Sequence, residues 1–186
     1  VYVNPEVDPR LGISLGMKRE QVARAIRENP DAVAVLVNNP TYYGICSDLR
    51  AIVEMAHEAG MYCLADEAHG THFYFGDHMP VSAMEGHVRK IINLTQTTSG
   101  SYLLMSSLDI SRRNLALRGR EVFRQVCAMA EYAREEINAV GGYYAFGREL
   151  INGDSIFDFD PTKLSVHTRD VGLAGIEVYD LLRDEY

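Results

Sequence analysis

The side chains best suited to chemistry lie close together in one stretch, at Asp66, Glu67, His69 and His72. They follow a short apolar run, residues 61–65, which predicts a buried strand. In open α/β sheets, ligands bind beyond the carboxyl ends of the strands. A carboxylate buried there is costly unless a positive group meets it. The sequence therefore predicts a ligand site at Asp66, whose carboxylate needs a positive partner.

The neighbouring elements predict a strand–helix–strand unit that would position this site. The continuous apolar run at residues 32–37 is typical of a strand covered on both faces. Ser47 is the expected N-cap of the helix that follows, and residues 61–66 form the next strand. Because such crossovers are right-handed, the two strands run parallel. The loop at residues 39–44 and the segment 66–72 then share one edge of the sheet.

The other predicted elements are consistent with the α/β class, with a mostly parallel sheet and helices on both faces. The apolar segment 88–94 fits either a helix or a strand. Helices are predicted at 18–28, 102–116, 120–140 and 172–183, with a break near Gly119, and strands at 143–146, 155–159 and 163–166.

Composition bounds the partners of the protein. The 186 residues suffice for one domain with a sizeable core. A net charge of -8 argues against nucleic acid or an anionic membrane as the main partner, since phosphate binding needs a basic surface. No apolar run approaches the roughly 18 residues of a membrane span. Three cysteines without a C-x-x-C pair indicate reduced thiols and a cytoplasmic protein.

Three other interpretations of the acidic stretch remain open from the residues alone. Asp-Glu-Ala-His is also the acidic box of a class of ATP-driven helicases, but the phosphate-binding loop G-x-x-x-x-G-K-[ST] is missing from the sequence. His69 and His72, with Asp66, Glu67, His57 and His78 nearby, could ligate zinc or non-haem iron. Residues three apart in a strand face opposite sides, however, and a third ligand is not evident. In the structural alternative, Asp66 caps a turn and His69 is a hydrogen-bonded core residue.

Two motifs, taken in order, resemble the bacterial ornithine/lysine/arginine decarboxylase family. The first is Asn-Pro-Thr-Tyr-Tyr-Gly at residues 39–44, followed after a helix by Asp-Glu-Ala-His-Gly-Thr-His-Phe at 66–73. The second covers residues 95–109, with Gly100 where the family commonly has proline. These are pyridoxal-phosphate (PLP) enzymes of the aspartate aminotransferase type, fold type I. The resemblance runs from Val1 to Tyr186 and implies the PLP-binding large domain.

The resemblance implies roles for residues of both motifs. Asp66 would hold the pyridinium nitrogen of PLP through a charge-assisted hydrogen bond, which keeps the ring an effective electron sink. Ala68 would pack against the ring face and His69 would lie beside the cofactor, so Asp66 and His69 are the expected catalytic residues. Thr41 would reach the polar edge of the ring. The hydroxyls of the break before the next helix would reach a cofactor phosphate, that of the same subunit or that of a second one, because anions are favoured there. They belong to Thr97, Thr98 and Ser99.

The lysine that holds PLP as a Schiff base in this family has no counterpart. Lys18, Lys90 and Lys163 are the lysines of the chain, and none lies in a Ser-x-His-Lys stretch. Since the resemblance is interrupted between Glu85 and Gly86, we expect a missing segment there. The segment would be either a loop omitted from the printed sequence or a true deletion. As a third alternative, Lys90 would replace the Schiff-base lysine.

The resemblance implies a PLP-dependent decarboxylase of a basic amino acid that releases carbon dioxide and an amine for polyamine biosynthesis. Arginine is the first expected substrate, followed by lysine and ornithine, and a homodimer or higher homo-oligomer is expected. The printed chain would be the central part of the large domain, with the start of that domain before Val1 and a small domain after Tyr186. Without the lysine, we expect no efficient turnover from it. Another fold-type I enzyme, such as an aminotransferase or lyase, and a non-catalytic fragment remain alternatives.

Overall fold

A computed structural model describes residues 1–83 and 101–185 of the chain. The predicted segment 88–94 lies outside these residues. These residues form four α-helices and six strands: α1 (Arg19–Glu28), β1 (Ala34–Asn38), β2 (Ile45–Cys46), α2 (Leu49–Glu58), β3 (Tyr62–Asp66), α3 (Tyr102–Val140), β4 (Tyr144–Phe146), β5 (Asp158–Phe159), β6 (Ser165–His167) and α4 (Gly175–Glu185), all within the ranges 1–83 and 101–185.

The predicted strand–helix–strand unit is confirmed. β1 and β3 pair in parallel, with Ala34 opposite Tyr62 and Asn38 opposite Asp66, and α2 makes the crossover. The other two pairs, β2 with β5 and β4 with β6, are antiparallel. Within the described residues, the expected mostly parallel sheet is therefore reduced to one parallel pair beside two antiparallel pairs.

The helices α1 and α2 cover one face of the parallel pair. Val22 of α1 and Ile52 of α2 pack with Val37 of β1 in a buried cluster. Strand residues alternate between faces, so Leu36 and Tyr62 point away from this cluster and are 74% and 72% exposed. The expectation of helices on both faces is thus not met in residues 1–83 and 101–185.

The antiparallel strands have a core of their own. It joins the N-terminal segment to β2, β4 and β5. Its buried members are Ile13, Leu15, Ile45, Phe146, Ile156 and Phe159. The strand candidates at 143–146 and 155–159 are confirmed with shorter bounds, and the candidate at 163–166 is confirmed as β6, which starts and ends later than predicted. β2 was not predicted, because its two residues depend on pairing with β5.

Helix α3 is continuous for 39 residues, so the predicted break near Gly119 is wrong. Gly119 is buried, and a Cβ there would lie 2.8 Å from the carbonyl oxygen of Phe75. The glycine thus permits a close approach between α3 and the chain at Phe75.

Helix α2 begins one residue later than its predicted cap implies. Asp48 is the N-cap, and its carboxylate accepts a hydrogen bond from the amide of Ala51 at 3.1 Å. The hydroxyl oxygen of Ser47 instead accepts from the amide of Met17 at 2.8 Å. Within the described part of the chain, no helix combines the length and apolar content that a membrane span requires.

Candidate functional site

The two segments that carry the predicted site leave the same edge of the parallel pair. Asn38 and Asp66 are paired in register at the carboxyl ends of β1 and β3. The amide of Asn39 donates a hydrogen bond to the carbonyl oxygen of Asp66 at 2.9 Å. The predicted shared edge is confirmed, because the loop 39–44 and the segment 66–72 begin side by side.

The loop 39–44 is held by hydrogen bonds of its own residues. The side chain of Asn39 is buried, and its Oδ1 accepts from the amide of Ser47 at 2.8 Å. Thr41 makes two hydrogen bonds with Ile45. The amide of Thr41 donates to the carbonyl oxygen of Ile45 at 2.8 Å, and the Thr41 Oγ1 accepts from the amide of Ile45 at 3.2 Å. The Thr41 hydroxyl oxygen thus already accepts a hydrogen bond from the start of β2, while its proton has no acceptor among the described residues. The role of Asn39 was not predicted from the sequence.

The loop and the segment contact each other at two points. Gly70 packs against Pro40, and a Cβ at this glycine would lie 2.5 Å from Cδ of Pro40. The ring of His69 meets the ring of Tyr42 edge-on, with centroids 5.4 Å apart. The structure therefore brings the His69 side chain onto the loop that carries Thr41.

Asp66 ends β3 with an exposed carboxylate. Its Oδ1 accepts a hydrogen bond from the amide of Ala68 at 3.0 Å, which closes a turn. Its Oδ2 has no hydrogen bond to any other described residue. The prediction of a buried acid is wrong for this structure, because the carboxyl end of β3 opens to solvent; the turn-capping role is confirmed. Ala68 is also exposed.

Glu67, the next residue, binds a later segment of the chain. Its carboxylate accepts hydrogen bonds from the hydroxyl of Ser82 at 3.0 Å and the amide of Ala83 at 2.7 Å. The second acid of the motif therefore fastens the chain at residues 82–83 to the segment 66–72.

His72 is paired with a buried acid that the sequence did not reveal. Its Nε2 lies 2.9 Å from Oδ2 of Asp160, whose side chain is fully buried. The Thr162 hydroxyl lies 3.3 Å from the same nitrogen. Burial alone would raise the pKa of Asp160, but the close contact and charge of His72 and the hydrogen bonds from Thr162 outweigh it and lower that pKa. No local spacing signals this pair, since its members come from distant parts of the chain.

The remaining predictions concern a metal site, the three lysines and the phosphate contacts. Among the described residues, no group of three or more His, Cys, Asp or Glu side chains could hold a metal ion. Lys18 lies 2.8 Å from Glu6, and Lys163 lies 3.9 Å from Asp160. Lys90 lies outside the described residues, as do the predicted phosphate contacts Thr97, Thr98 and Ser99.

The group at the edge fits the ring of PLP in the chemistry of its donors and acceptors. The free carboxylate oxygen of Asp66 can accept a hydrogen bond from a protonated ring nitrogen. The exposed methyl group of Ala68 offers a small apolar contact two residues further on, and the His69 imidazole lies next to it in the chain. These side chains could therefore orient a flat, positively charged heterocycle.

Comparisons with known proteins identify similar sequences among decarboxylases. Residues 1–89 match the family model described as Orn/Lys/Arg decarboxylase, major domain. The whole chain is 36% identical to an arginine decarboxylase of Bacillus cereus, of which it covers 47%. It is 35% and 37% identical to proteins named arginine decarboxylase in Bacillus subtilis and Halalkalibacterium halodurans, covering all of this chain and 44% of each relative. No solved structure matches the chain.

The lengths in these comparisons carry further information. The chain spans about half the length of the curated relatives it matches. The alignment with each of these three relatives extends over 218 residues, although the chain has 186. The relatives therefore carry residues within the aligned span that have no counterpart in this chain.

Proposed function

This chain belongs to the Orn/Lys/Arg decarboxylase family, and on that premise we propose that its parent protein is a PLP-dependent decarboxylase of a basic amino acid. The reaction would release carbon dioxide and the corresponding amine, a polyamine precursor. The chain would be the central part of the PLP-binding large domain of a fold-type I enzyme. The observation that carries the proposal is the exposed Asp66 carboxylate at the carboxyl end of β3, beside His69 and the loop 39–44.

The residues at the edge would share the work of holding the cofactor. Bound PLP would supply an electron sink for the electrons left when carbon dioxide departs, provided that its ring nitrogen stays protonated. The Asp66 carboxylate would hold that proton on the nitrogen by a charge-assisted hydrogen bond. Ala68 and His69 would border the ring, and the hydroxyl proton of Thr41 would be free to reach its polar edge. Thr98 and Ser99 remain proposed phosphate ligands on sequence grounds.

Arginine is the proposed first substrate. The named relatives at 35–37% identity are arginine decarboxylases, which supports arginine ahead of lysine and ornithine. The three cysteines, Cys46, Cys63 and Cys127, are all free thiols, which supports a cytoplasmic enzyme.

A missing segment between Glu85 and Gly86 would contain the Schiff-base lysine. The aligned span that exceeds the chain supports a missing segment, and the family match ends at residue 89, a few residues after this position. Peptide mapping of the natural protein tests it, because residues 51–88 contain no lysine or arginine. An unbroken tryptic peptide from Ala51 to Arg89 would show that the segment is truly absent. Its replacement by peptides with additional sequence, including a lysine, is the expected result.

A homodimer or higher homo-oligomer is proposed from the surface of α3. Its first turns expose a dense set of large apolar side chains, which is typical of a surface covered by another chain or by further residues of the same chain. They are Tyr102, Leu103, Leu104, Met105, Leu108 and Ile110, each more than half exposed. Sedimentation equilibrium of the natural protein is expected to give at least twice the mass of one chain. A monomer would reject the proposal.

Product analysis tests the reaction. The protein at its natural length, with added PLP, is incubated separately with arginine, lysine and ornithine labelled with ¹³C in the carboxyl group. Labelled carbon dioxide together with the matching amine in the mass spectrum is expected, with the fastest release from arginine. A keto acid that retains the label would identify an aminotransferase instead. No product from any substrate, together with no binding of PLP, would favour a non-catalytic protein.

A further inference from the structure

The buried Asp160–His72 pair links the segment 66–72 to a distant loop. Oδ2 of Asp160 lies 2.9 Å from Nε2 of His72. Its Oδ1 accepts from the amide of Thr162 at 3.0 Å and from the hydroxyl of Thr162 at 2.8 Å. Among the described residues, the basic groups within 4 Å of this carboxylate are His72 and, at 3.9 Å, the ammonium of Lys163. Thr162 therefore satisfies Oδ1 by hydrogen bonds, whereas the buried Oδ2 has the ion-pair contact with His72 and no well-aligned hydrogen bond from another described residue.

The same loop also holds the segment that carries Thr41. The amide of Asp160 donates to the carbonyl oxygen of Gly44 at 2.8 Å. Gly44 has a φ of +84° and lies under the side chain of Lys163, whose Cγ is 2.7 Å from the position of an added Cβ. Such a backbone conformation and such a close approach both favour glycine. The loop 160–163 thus binds the end of the loop 39–44 through its backbone and side chains.

Helix α3 fixes the loop 160–163 in turn. Arg134 is 4% exposed, and its Nη2 donates to the carbonyl oxygens of Pro161 at 2.7 Å and Lys163 at 2.6 Å. Phe123 of the same helix lies against the ring of His72, with centroids 5.5 Å apart. One long helix therefore supports the loop 160–163 and the histidine that the loop binds.

We infer that Asp160, acting through His72, is a positioning residue that sets the segment 66–72 against the loop 39–44. These two segments carry Asp66, His69 and Thr41, so the inference extends to cofactor binding only if the proposed function is correct. A buried pair of this kind contributes little net stability compared with apolar side chains of similar size, because both groups lose their hydration. Its directional contacts instead fix the geometry between the parts that it joins.

The variants for the test separate the polar contact from the packing. His72→Gln keeps a polar side chain with an N–H group toward Asp160, and His72→Met has similar length without a polar hydrogen. Asp160→Asn keeps the shape and removes the charge. Asp170→Asn is the matched control, because Asp170 also pairs with a histidine, His167, at 3.4 Å, and belongs to neither segment. If His72→Met or Asp160→Asn does not fold, Thr162→Val takes the place of that variant in the comparison. It removes the hydroxyl that contacts both His72 and Asp160.

The first measurement is amide hydrogen exchange by mass spectrometry on the protein at its natural length without cofactor. His72→Met and Asp160→Asn are expected to speed exchange about tenfold or more in both 39–44 and 66–72, while His72→Gln and Asp170→Asn stay within about twofold of wild type. Unchanged exchange in both segments would overturn the inference. So would equal effects of His72→Gln and His72→Met, or an increase spread over the whole protein.

The second measurement is titration with PLP, followed by absorbance. The same two variants are expected to raise the PLP dissociation constant about tenfold, with no further increase in the double variant His72→Met/Asp160→Asn, because both break one link. Wild-type affinity in variants with accelerated exchange would overturn the extension to the cofactor site. If the wild type itself does not bind PLP, the proposed function fails, and the exchange data still decide whether Asp160 positions the two segments.

Discussion

The ring of Tyr42 meets the imidazole of His69 edge-on, with centroids 5.4 Å apart. This contact joins the loop after β1 to the segment after β3, beyond the parallel strands that start them side by side. The side chain expected beside the cofactor is thus oriented by the loop that carries Thr41. A change that separates the loop from the segment should therefore disturb the site without touching Asp66.

Gly70→Ala should separate the loop 39–44 from the segment 66–72. The added methyl group would lie 2.5 Å from Cδ of Pro40 and 3.0 Å from the ring of Phe73, so the chain must shift. We expect the free energy of unfolding, measured with urea, to fall by about 1–3 kcal/mol. Gly175→Ala is the control, because nothing lies within 4 Å of a Cβ there. Equal stability of the two variants would contradict the close packing of Gly70 on Pro40.

Gly119→Ala tests the packing of α3. In an exposed helix interior this change would stabilise by about 1 kcal/mol. Here the methyl group would lie 2.8 Å from the carbonyl oxygen and 2.9 Å from Cβ of Phe75. We expect thermal unfolding at a lower temperature than wild type, whereas Ser106→Ala on the exposed surface of the same helix should change it little. A higher unfolding temperature for Gly119→Ala would show that α3 does not approach Phe75 so closely.

The lowered pKa of Asp160 predicts a pH dependence of stability. The contribution of the ionised Asp160 to the free energy of unfolding is fully present above the pKa that an aspartate has in the unfolded chain, about 4. It is lost as the pH falls through the lower pKa of Asp160 in the folded protein. The difference in free energy of unfolding between wild type and Asp160→Asn should therefore narrow below about pH 4. Urea unfolding from pH 7 to pH 2.5 measures it. A difference that stays constant over this range would argue against an ionised, paired Asp160.

Ala68→Leu tests the space reserved for the cofactor. Ala68 is exposed, so the larger side chain should leave the free energy of unfolding within about 0.5 kcal/mol of wild type. Because Ala68 is proposed to border the PLP ring, we expect the PLP dissociation constant to rise at least about tenfold. Ala139→Leu, exposed on α3, is the control. Unaltered PLP affinity in Ala68→Leu would remove this residue from the site.

Local patterns predicted the parts of the fold that local physics determines. The apolar runs of β1 and β3 and the right-handed crossover placed residues 39–44 and 66–72 at one edge, as observed. Ser47 and Asp48 are both good cap residues, so the sequence alone did not distinguish them. In the structure the hydroxyl of Ser47 accepts from the amide of Met17, and Asp48 caps α2. Gly119 was misinterpreted because a glycine needed for close packing looks the same in sequence as one that ends a helix.

The polar contacts between distant residues could not be predicted. His72 looks like a second metal or cofactor residue until Asp160 is placed 2.9 Å away, and nothing near either residue in the sequence signals the other. The exposure of Asp66 was missed for a related reason. The apolar run before it suggests a buried strand end, but burial there depends on what covers the edge.

The central claim is that the Asp66 carboxylate holds the ring nitrogen of PLP. Titration of the protein at its natural length with PLP, followed by absorbance, tests it directly in wild type, Asp66→Asn and the exposed control Asp31→Asn. Asparagine can still accept the Ala68 amide and so keeps the turn, but it lacks the charge. A charge-assisted hydrogen bond contributes about 1.5–3 kcal/mol, so we predict that PLP binding weakens about 10- to 100-fold in Asp66→Asn alone. Equal affinity in all three proteins, or no saturable binding in wild type, would contradict the claim.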